Sequence, residues 1–310
     1  MSQQGRRWLA LALVAAALAP RLARAADGDG RIALGGVERR YSVHVPASAG
    51  AAPPALVIVL HGGGGHGRGA AKQTGFSAEA DRQGFIAAYP DGSDRARPLV
   101  NLAGKPGFLT WNAGACCGYA AAHGIDDVAF LRAVIAQIAR DHPIDRRRIY
   151  ATGLSNGGMM AYRLACEASD LIAAVGIVAG SVVIKGCAPA QPVAIMHIHG
   201  SADENVPLAG GIGRKSLAHQ LYPPVADSIA LWVRADGCVA APLQERPAPG
   251  VSESSYSGCA AGTAVVFDLI EGGGHSWPGG ERMAKFLDPP ATAMAATPAL
   301  WRFFAAHPKP

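Results

Sequence analysis

Residues 153–157 read Gly-Leu-Ser-Asn-Gly. They lie between an apolar stretch, Ile149 to Thr152, and a helical pattern from Gly158 to Cys166. A G-x-S-x-G run between a strand and a helix predicts a sharp turn that lifts the serine hydroxyl above a sheet edge. The flanking glycines are required where a side chain would collide with neighbouring backbone. Alone the pattern is only moderately specific, because a chain with 39 glycines can produce one by chance. Two further features narrow it. An apolar run ends in His61-Gly62-Gly63-Gly64-Gly65, and Asp203 and His275 follow Ser155 in the order Ser, Asp, His.

That order is the one expected of an α/β-hydrolase. The rest of the chain agrees. Arg40 to Val45, Ala55 to Leu60, Gly84 to Tyr89, Arg148 to Thr152, Ala173 to Val178, Val193 to Ile198 and Ala264 to Ile270 read as strands. Asp126 to Arg140, Val225 to Arg234 and Pro298 to Ala306 carry apolar residues at helical spacing, with Asp126 suited to cap the first of them. Short, fully apolar runs alternating with helices predict an α/β fold, a mostly parallel central sheet with helices on both faces. Three irregular stretches, Asp91 to Gly124, Pro207 to Pro224 and Gly279 to Thr297, are placed as loops. The first two are expected to shape a cleft at the carboxyl ends of the strands.

A serine hydroxyl needs a base at neutral pH. His275 lies in a glycine-rich loop just after the last strand, and so can swing to the serine. His197 and His199 compete but belong to an apolar strand, where His199 is better placed to order the Asp203 loop. Asp203 follows the strand Val193 to Ile198 and suits the acid that holds the histidine tautomer. Glu204 is its rival, while Asp227 and Asp268 are read as surface or capping residues. Two backbone N–H groups must face the developing oxyanion. The sequence offers Asn156, directly after the nucleophile, and Gly63 in the glycine run. That run lacks the Lys-Ser/Thr of a phosphate-binding loop and the spacing of a dinucleotide site. No cofactor is implied, and no Cys/His cluster has metal-ligand spacing.

Arg6-Arg7, an apolar run from Trp8 to Ala19 and Ala23-Arg24-Ala25 form an export signal over residues 1–25, with Ala26 as the expected mature start and a lean toward twin-arginine export. The run is too short to span a bilayer, and no cysteine near the cleavage site would take a lipid anchor. The signal holds four arginines and no acids, so its removal takes the formal charge from +5 to +1. That leaves no electrostatic case for nucleic-acid binding. Residues 26–310 suffice for one catalytic domain, with no room for a separate polymer-binding module.

Six cysteines in an exported chain predict disulfides. Cys238 and Cys259 bracket a polar Pro- and Ser-rich insert and are the expected pair. Cys116 and Cys117 are adjacent. Across a trans peptide their Cα atoms stand about 3.8 Å apart, below the usual disulfide range, so each is expected to bond elsewhere. Cys166 and Cys187 are read as structural rather than reactive.

The segments HGGGG at 61–65, WNAGACCG at 111–118, DDVAFL at 126–131, GLSNGGMMAYRLAC at 153–166, HGSADENVP at 199–207 and GGGHSWPGG at 272–280 together resemble the polyhydroxybutyrate depolymerase family. That family also holds feruloyl esterases and related carbohydrate esterases. The resemblance spans roughly 40–280. It implies an exported serine esterase with Ser155, Asp203 and His275 as its triad, acting on a small-molecule or oligomeric ester. Dedicated polymer-degrading members often carry a linker and a binding domain, which argues here for soluble esters over crystalline polymer. A peptidase of the same fold and a non-catalytic secreted binding protein are the rival readings. Trp111 and Trp277 line an acyl pocket or simply pack; the sequence leaves both open. Asp126 and Asp127 match the family motif, but helix capping explains them.

Overall fold

The computed structural model describes residues 26–48, 52–94, 108–216, 218–285 and 287–310. The proposed signal, residues 1–25, and part of the first irregular stretch, residues 95–107, lie outside the described residues.

Among the described residues a ten-stranded sheet forms the centre, in the order β1 (Ala26–Leu34), β2 (Val37–Val45), β4 (Ile86–Pro90), β3 (Leu56–Leu60), β5 (Ile149–Leu154), β6 (Ala174–Val178), β7 (Ala194–Gly200), β12 (Val265–Ile270), β11 (Val251–Tyr256) and β10 (Leu243–Ala248). Its parallel middle consists of β4, β3, β5, β6, β7 and β12. Alternation explains why these runs are mainly apolar. In β3, Leu56, Ile58 and Leu60 face one core, while Val57 and Val59 face another. Both of its faces are therefore buried, and every position in it is apolar. One face is covered by α4 (Asp127–Asp141), α5 (Asn156–Glu167) and α6 (Val225–Ala235). The other is covered by α1 (Gly67–Thr74), α2 (Phe76–Gln83) and α7 (Ala296–Ala306). A short α3 (Gly118–Ala122) precedes α4, and β8 (Gly211–Ile212) pairs with β9 (Leu221–Tyr222) in a small hairpin. The parallel sheet with helices on both faces is the α/β-hydrolase architecture.

The antiparallel flanks are new relative to the sequence reading. β1 (Ala26–Leu34) pairs with β2 (Val37–Val45) through Gly35-Gly36, both at positive φ, as a two-residue hairpin turn requires. The polar insert between Cys238 and Cys259 contains the hairpin β10 (Leu243–Ala248) and β11 (Val251–Tyr256), which extends the sheet beyond β12. Leu243 to Pro247 of the outer strand are all exposed, which is why that run did not read as a strand.

Asp268 is corrected. It is buried on β12, in register with Glu253 of β11, rather than at the surface. Burial, reinforced by the facing carboxylate, pushes its carboxyl up to about 7. A raised folded-state pKa favours the protonated form. Its contribution is full below the ordinary carboxylate range and is lost as pH rises through about 7. Asp268→Asn is therefore expected to raise Tm above pH 7, with a gain on the order of a few kcal/mol. Thermal melts of both proteins at pH 5 and pH 9 check this; an equal Tm difference at the two pH values would contradict it.

The structure pairs all six cysteines. Cys238–Cys259 is formed as expected, and Cys166–Cys187 ties the end of α5 to the loop before β7. The third pair is Cys116–Cys117, against expectation. These residues are joined by a cis peptide, not a trans one, and their Cα atoms lie 3.0 Å apart. Removing Cys238–Cys259 by a double alanine substitution is expected to cost about 3 kcal/mol in denaturant unfolding. Unchanged stability would show that the β10–β11 hairpin holds without it.

Candidate active site

β3, β5, β7 and β12 run parallel, so the segments that leave their carboxyl ends emerge along one sheet edge. Ser155 follows β5 directly and adopts φ 55°, ψ −121°, a conformation disfavoured for a residue with a side chain. Its N–H donates to Val178 O at 2.8 Å, fixing the turn to β6. The flanking glycines have a steric cause. A Cβ at Gly153 would lie 2.5 Å from the Gly157 carbonyl carbon, and one at Gly157 would lie 2.3 Å from Leu60 O. The elbow is pressed against the end of β3, which leaves no room for either methyl group.

The His61–Gly65 loop lies over this elbow. A Cβ at Gly62 would meet Ser155 Cβ at 3.8 Å, and one at Gly63 would meet Asn156 Cβ at the same distance. The N–H groups of Gly64 and Gly65 donate to Leu109 O and Gly62 O. The Gly63 N–H has no such acceptor among the described residues. His61 itself is buried. Its Nε2 accepts from Gly92 N at 2.9 Å, so Nδ1 carries the proton and donates to Gly62 O at 2.8 Å. Burial pushes this imidazole down to about 4 and keeps it neutral.

Asn156 does more than follow the serine. Its Oδ1 accepts from Trp111 N at 2.7 Å and its Nδ2 donates to Trp111 O at 2.9 Å. Cys117 N donates to the same carbonyl at 3.0 Å, so the adjacent-cysteine loop is moored to the elbow. Trp111 is fully buried, with Nε1 donating to His61 O at 3.0 Å. Trp277 is also buried, beside Phe76 in the opposite core, with Nε1 donating to Thr297 Oγ1. Neither indole presents a wall to a ligand; both pack. The large apolar side chain beside the glycine run is Phe108, which is 57% exposed and has its ring against Gly64.

Asp127 is also corrected. Asp126 caps α4 by accepting from Ala129 N, as predicted. Asp127 is fully buried instead and accepts from Arg39 at 2.7 Å and from Asn112 N at 2.7 Å. Burial pushes the Asp127 carboxyl up, and the Arg39 guanidinium opposes it. This ion pair anchors the Trp111-Asn112 loop from behind.

On the other side of the site, Asp203 and His275 meet. His275 Nδ1 donates to Asp203 Oδ2 at 2.7 Å, which leaves Nε2 as the basic nitrogen. Asp203 Oδ1 accepts from Asn205 N at 2.8 Å and Val206 N at 2.9 Å. Burial opposes its ionisation but is outweighed by His275 and these donors, so the carboxyl is held below the usual range. The two loops are stitched together by Ala202 N to Gly273 O and Gly272 N to Ser201 Oγ. The rival acid, Glu204, is ion-paired with Arg214 and Lys215. The rival bases, His197 and His199, are buried and hydrogen-bonded inside the protein. Asp288 was not singled out in the sequence. It accepts from the His275 backbone N–H at 2.9 Å and from Lys215 Nζ at 3.0 Å, pinning the His275 loop. It stands in the stretch Gly279 to Thr297, and no local motif marks it.

Residues 39–229 match the model of the Esterase PHB depolymerase family. The chain belongs to that family. It is 32% identical over 268 residues to the putative esterase NocK of Nocardia uniformis subsp. tsuyamanensis, covering 80% of this chain and 73% of that one. It is also 32% identical over 208 residues to feruloyl esterase B of Piromyces equi, covering 62% of this esterase and 38% of that protein. Among solved structures, acetyl xylan esterase from Aspergillus awamori superposes with a TM-score of 0.60 at 15% identity, covering 90% of this chain and 99% of that one. The native crystal structure of pOPH gives 0.58 at 15% identity, covering 94% and 90%. Likeness at this identity speaks for the fold. Among the described residues, no helix is long and apolar enough to cross a membrane.

Proposed function

We propose that this esterase is an exported serine carboxylic ester hydrolase with Ser155, His275 and Asp203 as its triad. Ser155 Oγ attacks the ester carbonyl while His275 Nε2 takes its proton and passes it to the leaving alcohol. Asp203 holds Nδ1–H and stabilises the imidazolium. The N–H groups of Asn156 and Gly63 receive the oxyanion, the former at the N-terminus of α5, where the helix dipole favours negative charge. Water activated by the same histidine then releases the acid. The observation that carries this reading is the 2.7 Å Asp203–His275 bond at the sheet edge where the strained Ser155 stands. Three disulfides support export to an oxidising compartment, and residues 26–310 form the catalytic unit.

By family, the substrate is a hydroxyalkanoate ester or oligomer of the polyhydroxybutyrate type. A second reading, a hydroxycinnamoyl or acetyl ester of plant cell-wall polysaccharide, is favoured by the likeness to feruloyl esterase B and acetyl xylan esterase. Turnover on p-nitrophenyl butyrate, hydroxybutyrate oligomers, methyl ferulate and acetylated xylan separates the two. Highest kcat/KM on the oligomers is the expected result; highest kcat/KM on ferulate or xylan establishes the second reading. No turnover on any ester would contradict both.

A further inference from the structure

Behind the Asp203–His275 pair runs a chain of buried polar groups that the proposed chemistry leaves unused. Tyr162 of α5 lies with Oη 2.7 Å from His197 Nδ1; His197 Nε2 is 3.0 Å from His199 Nδ1; His199 Nε2 is 2.9 Å from Val206 O. All three side chains are 1% exposed or less. His199 Nε2 is also 3.5 Å from Asp203 Oδ2, the oxygen that accepts from His275.

The direction of every proton in this chain follows from one atom. A carbonyl oxygen only accepts, so His199 Nε2 must carry the hydrogen that faces Val206 O. Burial lowers the pKa of both imidazoles and keeps them neutral, so His199 Nδ1 is bare and His197 Nε2 must donate to it. His197 Nδ1 is then bare in turn, and Tyr162 must donate. The N–H dipole at the end of the chain is aimed at Val206 O and, over the longer distance, at the Asp203 carboxylate.

We propose that His199 is a positioning residue for the triad, its Nε2–H partly compensating the charge of Asp203, with Tyr162 and His197 holding that proton in place. The inference rests on the triad reading above. With the donor present, Asp203 shares its charge between His199 and His275. Without it, more of that charge falls on His275, the imidazolium is favoured, and the base stays protonated to higher pH. The acid limb of the kcat/KM profile should therefore move up when the donor is lost. The other groups facing this pair are Asp288 and Lys215 on the His275 side, Glu204 ion-paired to Lys215, and Tyr222, whose hydroxyl senses the Asp203 charge. None of them is altered by changes at 162, 197 or 199.

Three variants test it on a soluble ester. His199→Asn keeps an acceptor for His197 but removes the donor toward Asp203; His199→Gln restores an N–H near the Nε2 position; Tyr162→Phe removes a single oxygen at the far end of the chain. The acid limb is expected to rise by about half a pH unit in His199→Asn, to rise by less in Tyr162→Phe, where Val206 O still holds the His199 proton but the chain behind it is less polarised, and to return toward wild type in His199→Gln. A loss of activity by one factor at every pH, or an unmoved limb in both His199→Asn and Tyr162→Phe, overturns the proposal and leaves the chain a packing element. Tyr162→Phe, which retains the ring, keeps the test decisive if His199→Asn fails to fold. Wild-type hydrolysis that depends on Ser155 shows that the triad reading stands whichever way the limb moves.

Discussion

Ser155→Ala is expected to lower kcat for ester hydrolysis by several orders of magnitude while leaving the fold unchanged. The elbow does not depend on the hydroxyl. Its shape comes from the close approaches at Gly153 and Gly157 and from the Ser155 N–H to Val178 O bond, and alanine keeps all of these. What the variant lacks is the atom that attacks. The oxyanion donors and the cleft remain, so some rate above that in water persists, as when one member of a triad is removed. Hydrolysis of p-nitrophenyl butyrate beside circular dichroism measures both parts. More than a few per cent of wild-type kcat, with contamination excluded, would contradict the assignment.

Asp203→Asn is expected to reduce kcat by roughly 10⁴-fold, and the geometry says why. Oδ1 of Asp203 accepts from two backbone N–H groups, those of Asn205 and Val206. In the variant the amide oxygen must take that place, which turns the amide NH₂ toward His275. A donor there forces His275 Nδ1 to accept and moves the imidazole proton to Nε2, where it faces the serine with the wrong polarity. Glu204→Gln, by contrast, should change kcat only slightly, because Glu204 is spent on Lys215 and Arg214. If the glutamate variant is the damaging one and the aspartate variant mild, the acid is misplaced by one residue.

The fold was most legible where burial on both sides forces a continuous apolar run, as in β3 and β6. It was least legible at the sheet flanks. β1 and β10 face solvent and carry polar residues and glycine or proline, so their pairing is decided by partners far along the chain. Among the candidate site residues, Ser155, Asp203 and His275 could be named because each sits in a local glycine-rich signature. Asp127 and Asp288 could not be given their places. Their partners Arg39, Asn112, Lys215 and the His275 backbone are distant in sequence or unmarked, and only the packed loops bring them together. The tryptophans illustrate the opposite case. A residue type suited to a binding wall serves equally as packing, and burial decides which.

The central claim is that a nucleophilic serine stands at position 155. Treating the protein with a fluorophosphonate and mapping the adduct by mass spectrometry tests this most directly. One modified residue, Ser155, is expected, with ester hydrolysis lost in proportion to labelling and no labelling in Ser155→Ala. An adduct elsewhere, or full activity after stoichiometric labelling of Ser155, would contradict it.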